Sequence, residues 1–540
     1  MAQKRNDCSS ETLLRLRSMD LFSRSRSNHY LSESERLEFN TLLSKGQTEL
    51  ASFHDTIQPD STERDDLERY IQYARSLAAP IRKIPPEILG EIFIKHGTLN
   101  NISESTDIPG FNLARVSSYW RSVAFSTAAL WKEIHIETSS PFFYARHVNL
   151  VQDILTRSLG SPLHIYITAI PDKHDPQFDG LHPAVPLLFE HAARWQYLRI
   201  TDRSFEDGYG YQPNILEDLS PIRGQLTGLT TFISSCNEYT SLLLGNTTSL
   251  RSFSISSFDF QAINALYPWG GINKFQVRYS YNSEIVQVFP HVATNCTVQV
   301  HHPLGNDPDN SEEASPTVYQ NIVRLIITMG NNRTEESSAE ELLDMLTLPN
   351  LTVLAFVNEH PLAIRSKHPG RRWSATSIPS FVNRSNALLT EFSLVRTWIP
   401  AGVLLDVLKY LPTLRTLRIE EPADVPSQAP MLTAEFFQHL NVYREGRPLL
   451  SELYSLVLGA YLLSLDLQRL FARAVESRHW PLSLPTTTER VCRLDRVTLT
   501  LRHGTIDERI ASLLMSIRGD GLKVSVIDAE GDIMVREWKE

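Results

Sequence analysis

Cysteine is scarce in this chain: Cys8, Cys236, Cys296 and Cys492 are the only four in 540 residues, and they lie far apart. They build neither a zinc-ligand spacing nor a disulfide framework, which fits a reducing cytoplasmic or nuclear location. Long hydrophobic runs are missing too. No apolar stretch approaches the ~18 residues of a membrane-spanning helix, so no membrane contact is expected. Positive charge is in deficit, with 52 Lys and Arg against 62 Asp and Glu and a formal net charge of −10. A protein that grips nucleic acid with its whole surface needs the opposite balance, so no nucleic-acid partner is expected. Catalytic signatures are lacking as well. There is no Walker-type loop, dinucleotide glycine fingerprint, Gly-x-Ser-x-Gly elbow or histidine pair at metalloprotease spacing. His301 and His302 are adjacent, with no cysteine or carboxylate at helical spacing, and read as loop residues. The expectation is a non-enzyme with no metal and no cofactor.

An apolar share of 42% with 21% charged residues is that of a folded protein, and 540 residues hold two or more domains or one long repeat array. Residues 1–30 are rich in Ser and Arg, including Ser23-Arg24-Ser25-Arg26-Ser27, and lack an apolar signal core; a disordered tail is expected. Residues 31–79 read as two helices forming a lead-in. Ser32 and Glu35 make a capping box, and Phe39, Leu42, Leu43, Leu50 and Phe53 share one helical face, with Gly46 as a weak point. After a break at Pro59 and Asp60, Leu67, Tyr70, Ile71, Ala74 and Leu77 share another. The pair reads as a hairpin leaning on the next module, with a dimerising coiled coil as the alternative.

Residues 80–136 carry the most informative pattern. Pro85 and Pro86 suit the first turn of a helix, Glu87 suits its dipole, and Ile88, Leu89, Ile92 and Phe93 form one broad apolar face. After a polar loop, Leu113, Val116, Trp120, Val123 and Ala124 repeat that spacing, and Ser126 and Thr127 stand where a cap would open a third turn bearing Leu130 and Trp131. Three short helices are expected, with more apolar positions than so small a core needs.

In order, Pro85-Pro86-Glu87-Ile88-Leu89, Trp120-Arg121 and Ser126-Thr127 to Leu130-Trp131 resemble the F-box as it occurs in fungal proteins, over about a tenth of the chain. Ile84 stands where Leu is usual, Ser117-Ser118-Tyr119 replaces the frequent Cys-Arg-x, and Ala128 replaces a proline, yet every apolar position is kept. The resemblance implies docking onto the adaptor of a cullin-based ubiquitin ligase, a protein of the S-phase kinase-associated family. It further implies that Ile84, Pro85, Ile88, Leu89, Ile92, Leu113, Val116, Trp120, Val123 and Trp131 divide between adaptor contact and the module's own core.

Over residues 137–535 a different pattern sets in. Apolar residues at n, n+3 and n+5 recur in segments starting at Trp195, Leu250, Ile272, Ile322, Leu351, Leu389, Leu414, Leu453 and Leu494. Leu348-Pro349-Asn350-Leu351 and Leu411-Pro412-Thr413-Leu414 each end a helical stretch and enter a strand, so helix, proline turn and strand form the repeat unit. Helices are expected at 339–346 and 401–411, and loops at 301–316, 330–338 and 359–373, the last holding a basic patch of Arg365, Lys367, His368, Arg371 and Arg372. Leu354, Phe356, Leu417 and Ile419 should point inward, leaving Val353, Ala355, Thr416 and Arg418 on the outer face. The fold class expected is α/β: a short helical F-box module followed by a leucine-rich-repeat-like solenoid. Two departures stand out. Repeat spacing is uneven, from about 22 to about 55 residues, and the asparagine of standard repeats is replaced by Tyr461, Pro422 and Glu359. Two functions follow: a substrate-recruiting ligase subunit whose repeats bind a protein substrate, or a non-ligase scaffold whose N-terminal helices cap the solenoid.

Overall fold

The structure is a computed structural model and describes residues 11–26, 32–54, 62–103, 106–138, 144–169, 182–202, 218–235, 243–245, 247–256, 268–306, 316–330, 333–359, 376–422, 430–443, 449–479, 491–528 and 531–532. It forms two compact units, Met1–Ile215 and Leu216–Glu540, each mixed α/β with parallel strands. The boundary expected at 136/137 is therefore not a unit boundary. The strand following Trp131 pairs directly with the next one, which ties the helical module into the first sheet.

The first unit opens with four helices: Glu11–Ser18 (α1), Leu21–Arg26 (α2), Glu33–His54 (α3) and Thr62–Ala78 (α4). The disordered tail expected over 1–30 thus gives way to two helices within residues 11–26. Leu13, Leu16 and Leu21 are spaced to bury on one side, and they do so with Phe39, Leu42, Leu67, Ile71, Ala74 and Leu77 in a single core. The apolar stripes of α3 and α4, weighed as a coiled-coil seam, are covered by α1 and α2. The capping box forms as expected, with Ser32 N donating to Glu35 Oε2 at 2.7 Å and Glu35 N to Ser32 Oγ at 3.3 Å. Ser32 N, the Arg24 guanidinium and Ser32 Oγ, which donates to the same carboxylate at 2.8 Å, hold the Glu35 carboxyl down at about 2. Helix α3 continues through Gly46. A β-carbon there would lie 3.1 Å from Ile71 Cδ1, so glycine lets the two helices approach. The side chain of Phe53 lies outside the described residues.

Strands Leu99–Ile102 (β1), Glu133–Thr138 (β2), Leu163–Ala169 (β3) and Trp195–Asp202 (β4) pair in chain order, all parallel. Parallel neighbours require a crossover, which between β2 and β3 includes the helix Tyr144–Arg157. Ile134, Ile165 and Leu198 stand side by side, as do Ile136, Ile167 and Ile200, and all are buried.

In the second unit the order is again sequential: Thr231–Ser234 (β5), Ser252–Ser256 (β6), Lys274–Arg278 (β7), Cys296–His301 (β8), Ile322–Met329 (β10), Val353–Asn358 (β12), Glu391–Val395 (β13), Thr416–Glu420 (β14), Ser455–Ala460 (β15), Arg496–Leu501 (β16) and Lys523–Asp528 (β17). Gly531–Asp532 (β18) pairs antiparallel with β17, and the two-residue strands Thr317–Val318 (β9) and Leu346–Thr347 (β11) form a separate pair. The n, n+3, n+5 positions account for the core. Phe232, Phe253 and Phe275 start a row that continues in register through Val298, Leu325, Leu354, Phe392, Leu417, Leu456, Val497 and Val524, all buried. The leading residue closes an i to i+3 turn at several junctions: Leu250 N to Thr247 O, Ile272 N to Trp269 O at 2.9 Å, Leu351 N to Leu348 O, Leu414 N to Leu411 O and Leu453 N to Leu450 O. The same turn recurs with or without proline.

Helices Asn282–Val288, Arg333–Asp344, Ser377–Ser385, Ala401–Lys409, Ala434–Leu440, Leu465–His479 and Glu508–Gly519 intervene between the strands. The helix expected at 339–346 begins earlier, so part of the loop expected at 330–338 is helical, and Leu346 already belongs to β11. Thr416 and Arg418 face outward as expected, but Val353 and Ala355 are buried. Val353 lies in register between Arg324 and Glu391, whose side chains pair at 3.9 Å on that face. The basic patch at Arg365 to Arg372 and most of the loops expected at 301–316 and 359–373 lie outside the described residues. No described helix is long and apolar enough to cross a membrane.

Candidate partner-binding site

The helical segment is assembled around Trp131. Pro85 caps helix Pro86–His96, with Pro86 at its first position, as the two prolines predict. Helices Pro109–Ala114 and Ser118–Ser126 follow, the second capped by Ser117 Oγ, which accepts from Trp120 N at 3.1 Å. The third turn, Ala128–Trp131, is a 3₁₀ helix whose entry differs from expectation. Thr127 and Ser126 donate back to Val123 O at 2.7 and 3.1 Å instead of capping forward. Trp131 is wholly buried, its Nε1 donates to Ala124 O at 2.9 Å, and Phe111 and Phe125 pack at 5.0 and 6.0 Å. Arg157 lies over the same three rings, 4.4 Å from the Phe125 centroid. Gly110 is required beneath them, since a β-carbon there would sit 2.5 Å from the Trp131 ring.

The ten residues singled out in the sequence separate by burial. Leu89, Leu113, Val123 and Trp131 are core. Ile88, Ile92 and Val116 stand out at 55%, 45% and 61% exposed, well above a packed side chain. Pro85 is exposed, and Ile84 and Trp120 are half-buried. Trp120 leans on buried Phe93 at 4.9 Å, while Tyr119 Oη donates to Ile84 O at 2.7 Å and fixes the entry to the first helix. Ile81, in the turn before this helix, is also exposed. One helix therefore buries Leu89 and Phe93 on one side and leaves Ile88 and Ile92, one turn apart, in water.

The polar loop expected between the first two helices contains β1. Its central residue, Asn100, is buried, and Nδ2 donates to Thr98 O, Leu130 O and Glu133 O at 3.0, 2.9 and 2.9 Å. In the second unit asparagines do the same, Asn282 Nδ2 donating to Ser338 O at 2.8 Å and Asn321 Nδ2 to Val292 O at 3.0 Å, and charged side chains join them. Buried Glu421 accepts from Met431 N and Leu432 N at 2.8 and 3.1 Å and from Tyr461 N at 3.2 Å. Arg384 Nη2 donates to Leu343 O and Leu346 O, and buried Arg478 donates to Leu440 O at 2.7 Å, Leu450 O at 2.9 Å and Leu449 O. These partners come from neighbouring strand-helix units, which is how the backbone groups between units are satisfied.

His301 and His302 are not loop decoration. His301 ends β8, with Nδ1 3.3 Å from Glu359 Oε1, and buried His302 stacks on Tyr279 at 5.0 Å with Nε2 3.6 Å from Glu359 Oε2. Burial pulls the His301 imidazole down from its ordinary value. Among the described residues no group of His, Cys, Asp and Glu forms a metal site.

A second histidine pair predicts a pH dependence. His147 and His182 are buried and stacked, with Nδ1 of the first 3.1 Å from Nε2 of the second. Burial lowers both, with the neighbouring Arg146 adding to the effect on His147, and His182 falls to about 4 from an ordinary 6.5. Between those values the unfolded chain takes up protons that the folded chain refuses, so stability is complete above about pH 6.5 and falls with pH. Denaturant midpoints of the first unit should therefore decline from pH 6.5 towards 4, and His182→Phe should flatten that decline; a pH-independent midpoint would contradict it.

No protein-family model matches the chain, and no curated protein matches it.

Proposed function

We propose that the chain is an F-box subunit of a cullin-based ubiquitin ligase: the segment 84–131 docks onto the ligase adaptor, and the leucine-rich-repeat-like parallel region holds a protein to be marked for degradation. On this reading the chain supplies binding, and catalysis belongs to other subunits. The observation that carries it is the exposure of Ile88 and Ile92 on a helix whose Leu89 and Phe93 are buried, and of Val116 in the turn between the next two helices, with Trp120 half-buried. Burying such side chains against a partner recovers roughly 1.5–3 kcal/mol each at full burial. Leu89, Leu113, Val123 and Trp131 hold the helices in place and do not touch the partner.

A second reading is favoured by β1. Because Leu99–Ile102 pairs with β2, the helical segment also closes one edge of the first sheet, as a cap in a scaffold that never joins a ligase would. The two are separated by co-elution of the intact chain with a purified adaptor of the S-phase kinase-associated family. Ile88→Asp with Ile92→Asp should cost about 2 kcal/mol or more of binding, some 30-fold, with circular dichroism unchanged. Absence of co-elution by the wild-type chain leaves the scaffold reading.

A further inference from the structure

The side of the second unit's sheet opposite its buried rows has a charge pattern at odds with the chain as a whole. Register fixes which residues share that side: Lys274, Thr297, Arg324, Val353, Glu391, Thr416, Ser455, Arg496 and Lys523 form one row across β7 to β17. Two residues along each strand lies a second row that includes Ile326, Ala355, Arg418 and Val457, and a third includes Arg278, Val357, Val395 and Glu420. Six cations, Lys274, Arg278, Arg324, Arg418, Arg496 and Lys523, share these rows with two carboxylates, Glu391 and Glu420, while at the strand ends Asp495 pairs with Lys523 at 3.2 Å and Glu359 lies 3.3 Å from His301, in a chain with ten more acids than bases.

The charges are sorted by position. In the middle they cancel: Arg324 pairs with Glu391 at 3.9 Å and Arg418 Nε with Glu420 Oε1 at 2.8 Å, over a floor of half-buried Ile326, Val357 and Val457, with Val353, Ala355 and Val395 buried between them. At one flank Lys274 and Arg278 are exposed, and the outward positions of β6 and β8 beside them hold only Ser, Thr, Gln and His. At the other flank Lys523 is paired with Asp495 at 3.2 Å, and Arg496 is exposed between outward residues Ser455, Val457 and Gly459 of β15 and Lys523, Ser525 and Ile527 of β17. The flanks are seven strand spacings apart in sheet order, roughly 34 Å at ~4.8 Å each, the reach of about ten extended residues.

Resting on the reading of this region as the substrate-holding one, we infer that this face binds an extended acidic polypeptide segment of the substrate, with carboxylates at both ends over Lys274, Arg278 and Arg496 and aliphatic residues between. Nucleic acid fits it less well. Single strands are held by aromatic platforms, and no outward position of β5 to β17 carries Phe, Tyr or Trp. Matching of potentials sets partner choice and association rate more than it sets raw affinity, so discrimination between probes is the quantity to read.

The test uses the intact chain and three fluorescein-labelled probes in anisotropy titrations: a peptide of Glu and Asp around a central Leu-Leu, the same peptide with Lys and Arg, and an oligouridylate. The acidic peptide should bind at least about tenfold tighter than either control and weaken as salt rises. Lys274→Glu with Arg496→Glu should remove that preference, and Lys274→Gln with Arg496→Gln should reduce it, both with unchanged melting. Equal binding of acidic and basic peptides, tighter binding of the oligouridylate, or variants that bind as the wild type does would overturn the inference. Adaptor co-elution is measured on the same samples. Adaptor bound without acidic preference refutes this inference alone, whereas acidic preference without adaptor supports it and removes the ligase reading.

Discussion

Trp131→Ala should destabilise the first unit by about 4 kcal/mol or more, the upper part of the range for removing a buried aromatic. The deletion empties the site around which three helices meet. It removes the partner of Phe111 and Phe125, the Nε1 bond to Ala124 O and one of the three rings beneath Arg157. A whole domain is usually stable by only ~5–15 kcal/mol, so the loss should appear as a large fall in the unfolding midpoint. Because two compact units need not unfold together, hydrogen exchange of residues 109–136 is the cleaner reading. Protection there unchanged from the wild type would show that Trp131 does not organise the segment.

Arg478→Met should cost the second unit about 3–5 kcal/mol. The guanidinium is buried, and burial alone pulls it down to about 10, yet it stays in place because Leu440 O, Leu449 O and Leu450 O accept from it. Methionine fills most of the volume and leaves the buried carbonyls of Leu440 and Leu450 without this donor, which is where the cost arises. A loss well under 1 kcal/mol in chemical denaturation would mean that other donors reach these carbonyls. The same experiment on Arg384→Met should give a smaller effect, since Arg384 is only partly buried.

What could be read from the sequence was whatever depended on apolar spacing. All nine segments with apolar residues at n, n+3 and n+5 became strands, because n+3 and n+5 face the same covered side and n is buried at the strand's entry. Strands that break the spacing went unseen. In β5 the n+5 position is Ser234, β3 and β17 alternate strictly, as Leu163, Ile165 and Ile167 do, and β1 is centred on a buried asparagine. The N-terminal helices were hidden by composition: a Ser and Arg background masked Leu13, Leu16 and Leu21, three side chains that suffice when a neighbouring hairpin supplies the rest of the core. At the candidate site, helical period separated the faces of the first helix only to within one position. Leu89 and Ile88 are neighbours in sequence, and nothing local decides which is covered; that depends on Phe93 and Trp120 meeting across two helices. Long-range polar pairings, such as Glu359 with His301 or Arg478 with Leu440, carry no local signal at all.

The most direct measurement places a photo-cross-linking amino acid at Ile88, at Val116 and, as a control, at Tyr410, which is exposed on the other unit. With purified adaptor present, the probes at 88 and 116 should cross-link to it and the probe at 410 should not. Adaptor that binds without being captured from 88 or 116, or that is captured equally from 410, would contradict the assignment of this apolar surface as the docking site.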